Sequence, residues 1–291
     1  MARIPWAVVG VGVAGRARAA AIQRDPRARL VAAHRGRFAQ GLEVPVMDRL
    51  ADAIEAARAV AICSPTQHHA EQARAVLEAG RHCLVEFPLA ADPGTASALM
   101  ALARTRDRVL HVEHIELLDS PSSTLTAHIR PEIVRSIEVR FERPGNPEVD
   151  AEDMPVRNVA RLHRLLAVAG PIARVEAVRT APGHLDADLA MRSGATATLN
   201  FRREDGLKRK TVLSIHTAGG DHWVQVNGTL TRNGAPQTLL GMGDLFGRDQ
   251  TAATARILDG TPGYVDDHSV LHVLEVVRVL QTGAPGDVPQ R

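Results

Sequence analysis

Trp6-Ala7-Val8-Val9-Gly10-Val11-Gly12-Val13-Ala14-Gly15-Arg16 carries the first apolar run of the chain onto three glycines. The run from Trp6 to Val11 has strand length and is apolar almost throughout, as a strand covered on both sheet faces requires. The glycines fall in the spacing G-x-G-x-x-G, directly after that strand and directly before a helix-period segment, Arg16 to Gln23. In that setting each has a task. Gly10 makes the tight turn, Gly12 lets the backbone approach a pyrophosphate, and Gly15 lets helix and strand pack closely. The helix N-terminus, with Val13 and Ala14 in its opening turn, faces the negative charge. The stretch predicts a doubly wound parallel sheet that binds a dinucleotide.

The same alternation continues downstream. Strand-length apolar runs at Arg29 to His34, Ala59 to Cys63, His82 to Glu86 and Val109 to Val112 are separated by helical segments at Leu50 to Ala56, His68 to Ala79 and Asp92 to Arg104. Gly80 stands where a helix C-cap belongs and Pro65 just past a strand end. After Asp119 the polar, breaker-rich Ser120-Pro121-Ser122-Ser123 marks a junction. Beyond it, apolar and polar residues alternate at Ile137 to Phe141, Leu185 to Ala190, Ala195 to Phe201, Thr211 to His216 and Trp223 to Val226, the pattern of an antiparallel sheet with one buried face. Helices are expected at Val156 to Ala169, Gly243 to Asp259 and Asp266 to Gln281. The expected fold is α/β: an NAD(P)-binding Rossmann domain over residues 1–119, then an α+β domain with a mainly antiparallel sheet over 120–291.

Composition narrows the function. With 291 residues, 45% of them hydrophobic, the chain can bury two cores without metals or disulfides. Its charges are 35 basic and 33 acidic, interspersed, and only 3% of residues are aromatic. Neither the basic field nor the stacking surface of a nucleic-acid binder is there. The most apolar stretch, Ala56 to Ser64, is far below the ~20 residues of a membrane helix. No secretory leader precedes the first strand, so a cytoplasmic location is expected. Cys63 and Cys83 lie in strand-like runs and read as buried thiols.

The second strand ends in His34-Arg35-Gly36-Arg37, with no acidic residue to bind a ribose 2′-hydroxyl. Arg35 and Arg37, beside His34, suit a 2′-phosphate instead, so NADPH is the favoured cofactor, with NADH possible. Cys63, Ser64 and Thr66 end a third run at the carboxyl edge of the sheet, where ligands of such folds collect. Glu86, Phe87 and His114 end two more there. Beside an apolar ring and a bound cofactor, Glu86 is a carboxyl able to hold a proton. His111-x-x-His114 is not a metal site, because strand alternation sends the two rings to opposite faces. Lys208, Arg209 and Lys210 read as strand residues that present cations to an anionic ligand or to solvent. His68-His69 reads as helix surface.

Val85-Glu86-Phe87-Pro88, in a chain of this organisation, resembles the glucose-fructose oxidoreductase and inositol dehydrogenase superfamily. Sugar-oxidising members carry Glu-Lys-Pro here, and an Asp four residues before a His on the helix opening the second domain. This chain has Phe87, and Val159 four residues before His163, so both acid–base groups for alcohol oxidation are missing. Among the branches it resembles the biliverdin reductases, which have Glu-Tyr-Pro at that position. The same branch is similar at His111-Val112-Glu113-His114-Ile115-Glu116-Leu117-Leu118, at Asn158-Val159-Ala160-Arg161-Leu162, at Gly206-Leu207-Lys208-Arg209 and at Arg248-Asp249-Gln250. The resemblance implies NADPH-dependent reduction of biliverdin to bilirubin by hydride transfer to the central methine carbon. Arg161 is then the residue nearest the reacting ring system. Glu86, Phe87 and His114 stand beside the nicotinamide, and Phe87, Glu113, Lys208 and Arg209 line the bilin. Partners are limited to such a small molecule, and the chain is a monomer or homodimer. The rival readings are another oxidoreductase of the superfamily with a different small substrate, and a non-catalytic NADP- or bilin-binding protein.

Overall fold

A computed structural model describes residues 3–148, 153–241 and 243–289. The apolar runs of the amino-terminal half become β1 (Ile4–Val9), β2 (Ala28–His34), β3 (Val46–Met47), β4 (Ala59–Ile62), β5 (His82–Val85) and β6 (Leu110–Val112). They form one parallel sheet in the order β3-β2-β1-β4-β5-β6. Every residue of β4 and β5 is buried, the signature of a strand with helices on both faces. Those helices are α1 (Val13–Arg24), α2 (Leu50–Ala56), α3 (His69–Glu78) and α4 (Pro93–Thr105). The order reverses across β1 and β4, the switch point at whose carboxyl edge open α/β sheets bind ligands.

The junction expected after Asp119 is a helix, α5 (Ser120–His128). Asp119 caps it by accepting from the Ser122 amide at 2.7 Å, and Pro121 occupies the first turn, where its missing N–H costs nothing. Next come β7 (Val134–Pro144), α6 (Asp153–Arg157), α7 (Val159–Ala169), β8 (Ile172–Ala181), β9 (His184–Met191), β10 (Thr196–Glu204), β11 (Lys210–Thr217), β12 (His222–Val226), β13 (Thr229–Arg232) and β14 (Ala235–Pro236). The single helix expected over 156–169 is interrupted at Asn158, whose side chain donates back to the Met154 carbonyl at 2.9 Å. After α8 (Leu245–Asp259) and α9 (Asp267–Gln281), β15 (Gly286–Asp287) completes a nine-stranded sheet ordered β14-β13-β12-β11-β7-β10-β9-β8-β15. Only β7 and β10 pair in parallel.

The chain divides into two compact units. The first comprises Met1–Ile115 and Gly243–Asp267, and the second Glu116–Met242 and His268–Arg291. The first break falls close to the junction expected at 119. The allocation of Gly243 to Asp259 to the second domain is corrected, since α8 packs with the parallel sheet. Its inward residues Asp249, Gln250, Ala253 and Thr254 are buried, and Thr254 donates to Asp25, just past α1, at 2.6 Å.

Candidate active site

The turn after β1 shows why its glycines are needed. Gly10 has φ +83°, and a Cβ there would lie 2.5 Å from the Ser64 backbone; one on Gly15 would lie 2.3 Å from the Gly10 carbonyl oxygen. Around Gly12 nothing approaches within 4 Å, so the backbone is open above it. The N-terminus of α1 has no side-chain cap and no acid in its first turn. Its leading N–H groups therefore await an acceptor, and Val13 is 68% exposed beside them. These residues fit the pyrophosphate of a dinucleotide.

Past β2, Arg35, Gly36 and Arg37 are exposed. Gly36 has φ +121°, and a Cβ on it would collide with the Val11 backbone at 2.3 Å. Phe38 holds two guanidiniums over its ring, Arg16 at 4.7 Å and Arg37 at 4.6 Å from the centroid. His34 departs from the exposed arginines beside it: it is buried, with its Nδ1 bonded to the Met47 carbonyl of the neighbouring strand at 2.9 Å. His69 departs as well: it is buried rather than surface, bridging the Ser64 and Pro88 carbonyls at 2.8 Å each. It ties two of the edge loops together.

Glu86 and Phe87 follow β5, and the Phe87–Pro88 bond is cis. Beneath them lies a buried charge cluster. Arg18 of α1, wholly buried, pairs with Asp249 of α8 at 2.7 Å and with Glu86 at 3.2 Å. Asp249 also meets His111 Nε2 at 2.8 Å and accepts from the Tyr264 hydroxyl at 2.5 Å; that hydroxyl accepts from the His114 amide at 2.9 Å. Burial alone raises a carboxyl, but Arg18 and His111 outweigh it and hold Asp249 well below the usual carboxylate range. Cys63 donates to Glu86 at 3.7 Å, and burial followed by the Glu86 charge pushes its thiol up, so it stays a thiol.

Glu113 behaves oppositely to Asp249. It is fully buried, with Oε1 accepting from the Ile115 amide at 2.8 Å and Oε2 enclosed without a partner. Burial, then the charges of Glu86 and Asp249, push it well above the usual range. Glu113 is thus a carboxyl whose surroundings favour its protonated form, and Glu86 stands paired with Arg18 at 3.2 Å. The Phe87 ring stacks on His114 at 6.2 Å and 15°.

In the second unit α7 presents Arg161, which is 7% exposed. Its guanidinium lies over the Phe141 ring at 3.8 Å and pairs with Glu116 at 2.8 Å. Arg164, one turn on, pairs with Asp119 at 2.6 Å and bonds Gln225 at 3.2 Å. Burial lowers Arg161 to about 10, with the charges of Arg164, Arg209 and Arg143 acting in the same direction and Glu116 opposing them. Arg143 is lowered too, by burial and then Arg203, Arg209 and Arg157. Arg209 also lies over the Phe141 ring, 5.6 Å from its centroid. Lys208 and Arg209 are not strand residues as expected: β11 begins at Lys210, and both lie exposed in the loop that the turn at Gly206, φ +84°, introduces.

Sequence reading missed Arg18, Tyr264, Phe141, Arg143 and Arg203. Arg18 lies in the helix-period segment after the glycines with nothing local to single it out, and its partners Glu86 and Asp249 are distant in the chain. Among the described residues no cluster of three or more His, Cys, Asp or Glu is arranged to hold a metal ion. No helix among them is long and apolar enough to cross a membrane.

Residues 4–114 match the family described as an oxidoreductase family with an NAD-binding Rossmann fold. Biliverdin reductase A of Mus musculus is 29% identical over 164 residues, 55% of this chain and 56% of that protein. Its Homo sapiens counterpart is 28% identical over 165 residues, 55% of each. The chain thus spans about half the length of these curated relatives. Biliverdin reductase from Synechocystis sp. PCC 6803, solved with biliverdin and NADP+, superposes with a TM-score of 0.83 at 23% identity, over 96% of this chain and 98% of that one. UDP-N-acetylglucosamine 3-dehydrogenase from Acidithiobacillus ferrooxidans gives 0.84 at 20% identity, over 97% and 98%. At these identities the superpositions show the fold. The match over residues 4–114 agrees with the parallel Rossmann sheet of the first unit, and the resemblance read from the sequence stands.

Proposed function

We propose that this chain is an NADPH-dependent reductase of a linear tetrapyrrole, converting biliverdin to bilirubin. The observation that carries the reading is the under-compensated cationic cluster of the second unit. Arg161 is buried on the Phe141 face with Arg143 and Arg209 near it, and Glu116 is its paired carboxylate. A flat pigment bearing two propionates is matched by guanidinium planes, an aromatic face and surplus positive charge. Phe87 and Val159, standing where sugar oxidation needs an acid or base, support the same choice. So do the relatives and the solved neighbour named for biliverdin.

Gly10, Gly12, Val13, Ala14 and Gly15 would hold the coenzyme pyrophosphate, and Arg35 and Arg37 the 2′-phosphate, with NADH the weaker alternative. When bound, NADPH supplies the hydride that the methine carbon accepts. Arg161 positions the bilin and balances its charge; Lys208 and Arg209 meet a propionate. Phe87 and His114 contribute a packed ring pair, with no phenol at residue 87 to give up a proton. Reduction also consumes a proton, and Glu113 is a carboxyl whose burial and anionic neighbours favour its protonated form.

Purified protein incubated with biliverdin and NADPH should lose the green absorbance of biliverdin as the yellow band of bilirubin grows. Red-shifted pigment with unconsumed NADPH would instead identify a carrier. NADPH binding with an unchanged pigment spectrum would identify an oxidoreductase of another substrate.

A further inference from the structure

At the amino ends of β4 and β5, away from the glycine turn, the first unit has an open cavity of about 480 Å³ between α2 and α3. Its floor comes from two helical pairs at i, i+4 spacing, Leu50 with Ile54 on α2 and Ala75 with Ala79 on α3 and its C-cap. The two alanines make the cavity: one-carbon side chains leave a trough where larger ones would close the helices together. The volume is within the range of small-molecule sites, and the walls are almost entirely aliphatic.

Two charged residues line it, Glu55 and Arg81; Arg81 is fixed by the turn through Gly80 (φ +69°), with its own amide bonded to the Val76 carbonyl at 3.1 Å. Its guanidinium spends one donor on the Glu55 carbonyl at a long 3.4 Å, and its Nε–H is buried with no acceptor. A guanidinium has five donors, and a buried one without a partner carries the cost of its lost water. Further cations stand behind it: Arg108 bonds the Gly80 carbonyl at 2.6 Å, and burial, then Arg108 and Arg58 against Asp107, lower His82 to about 4. The Glu55 carboxylate at the rim is exposed to solvent.

From this cavity and its open donor we infer a second ligand site, for an amphipathic monocarboxylate whose aliphatic or aromatic body fills the trough and whose carboxylate meets Arg81. It goes beyond the proposed reductase and does not depend on it. β5 separates it from Glu86 by four residues, about 13 Å at 3.3 Å per residue. The occupant therefore does not compete with coenzyme.

The test is a titration of the isotopically labelled full chain with octanoate, followed by amide resonances. Saturable shifts are expected at Ala75, Ala79, Gly80 and Arg81, unchanged when NADPH is present. Arg81→Gln should weaken octanoate at least tenfold, and Ala75→Leu, which fills the trough, should abolish the shifts while the remaining spectrum stays folded. Octanol should bind at least tenfold more weakly than octanoate. The inference is overturned if octanoate shifts lie elsewhere, if both variants bind as the parent does, if NADPH displaces the probe, or if octanol binds equally well.

Discussion

Each unit buries an arginine that matters, and the two are treated oppositely. Arg18 in the first unit has two carboxylates on it, Asp249 and Glu86. Burial alone lowers it, but those two charges win and hold the proton more tightly than in water. Arg161 in the second unit has Glu116 against burial and three neighbouring arginines, and settles lower, at about 10. The first is a closed arrangement that holds a loop and a helix in place. The second is left short of negative charge, which is how a protein prepares for an anion that arrives from outside.

Asp249→Ala attacks the closed arrangement and should have the largest effect. It strands the Arg18 charge beside Glu86 alone, at a cost of about 3–5 kcal/mol. The chain has two tryptophans, Trp6 in the first unit and Trp223 in the second, so their indole N–H resonances report the units separately during urea unfolding. Trp6 should lose its native resonance at lower urea and Trp223 should not; a matched loss would mean that the charge cluster is not confined to the first unit's stability.

Acid comes next. His82 and His272 are lowered to about 4, by burial first and neighbouring arginines second, and each is neutral, accepting from Val109 and Ile172 amides at 3.1 and 3.0 Å. Because the unfolded chain binds the proton more tightly, near pH 6.5, the stability they support is complete above that pH and fades as pH falls toward 4, on the order of 3 kcal/mol per site. His272→Gln should flatten this dependence at Trp223 and leave it at Trp6.

Arg161→Ala tests the open arrangement. Biliverdin turnover should fall about 100-fold, about 2.7 kcal/mol of barrier, with the Kd for NADPH within about twofold of the parent. An equal loss of both would show that Arg161 serves the coenzyme. The smallest effect is expected at the exposed loop: Arg35→Ser with Arg37→Ser should weaken NADPH about tenfold, about 1.4 kcal/mol, and leave NADH unchanged in equilibrium titrations.

Local signals were legible and distant ones were not. The strands of the parallel sheet and the turn at Gly10 to Gly15 follow from short-range pattern, because burial on both faces and close backbone approach leave direct marks on residue type. β8 escaped because bulges at Ile172 to Arg174 and Val175 to Ala177 break its alternation. α5 was hidden by a proline and serines that suit a helix start as well as a linker. At the site, Arg161 was found through resemblance, but its Phe141 platform and the Arg18–Asp249 pair join segments far apart in the chain, and no periodicity encodes a partner. The same blindness assigned α8 to the wrong unit, since its buried polar face declares itself only once Arg18 and Asp25 are seen opposite.

The return of α8 means that the coenzyme-binding half is assembled from two stretches of polypeptide made at different times. During synthesis the nascent amino-terminal part must wait, its central arginine facing Glu86 alone, until the ribosome has delivered Asp249 and Tyr264. A truncated fragment ending near residue 119, though it contains the whole nucleotide fingerprint, should emerge as a loose, aggregation-prone intermediate.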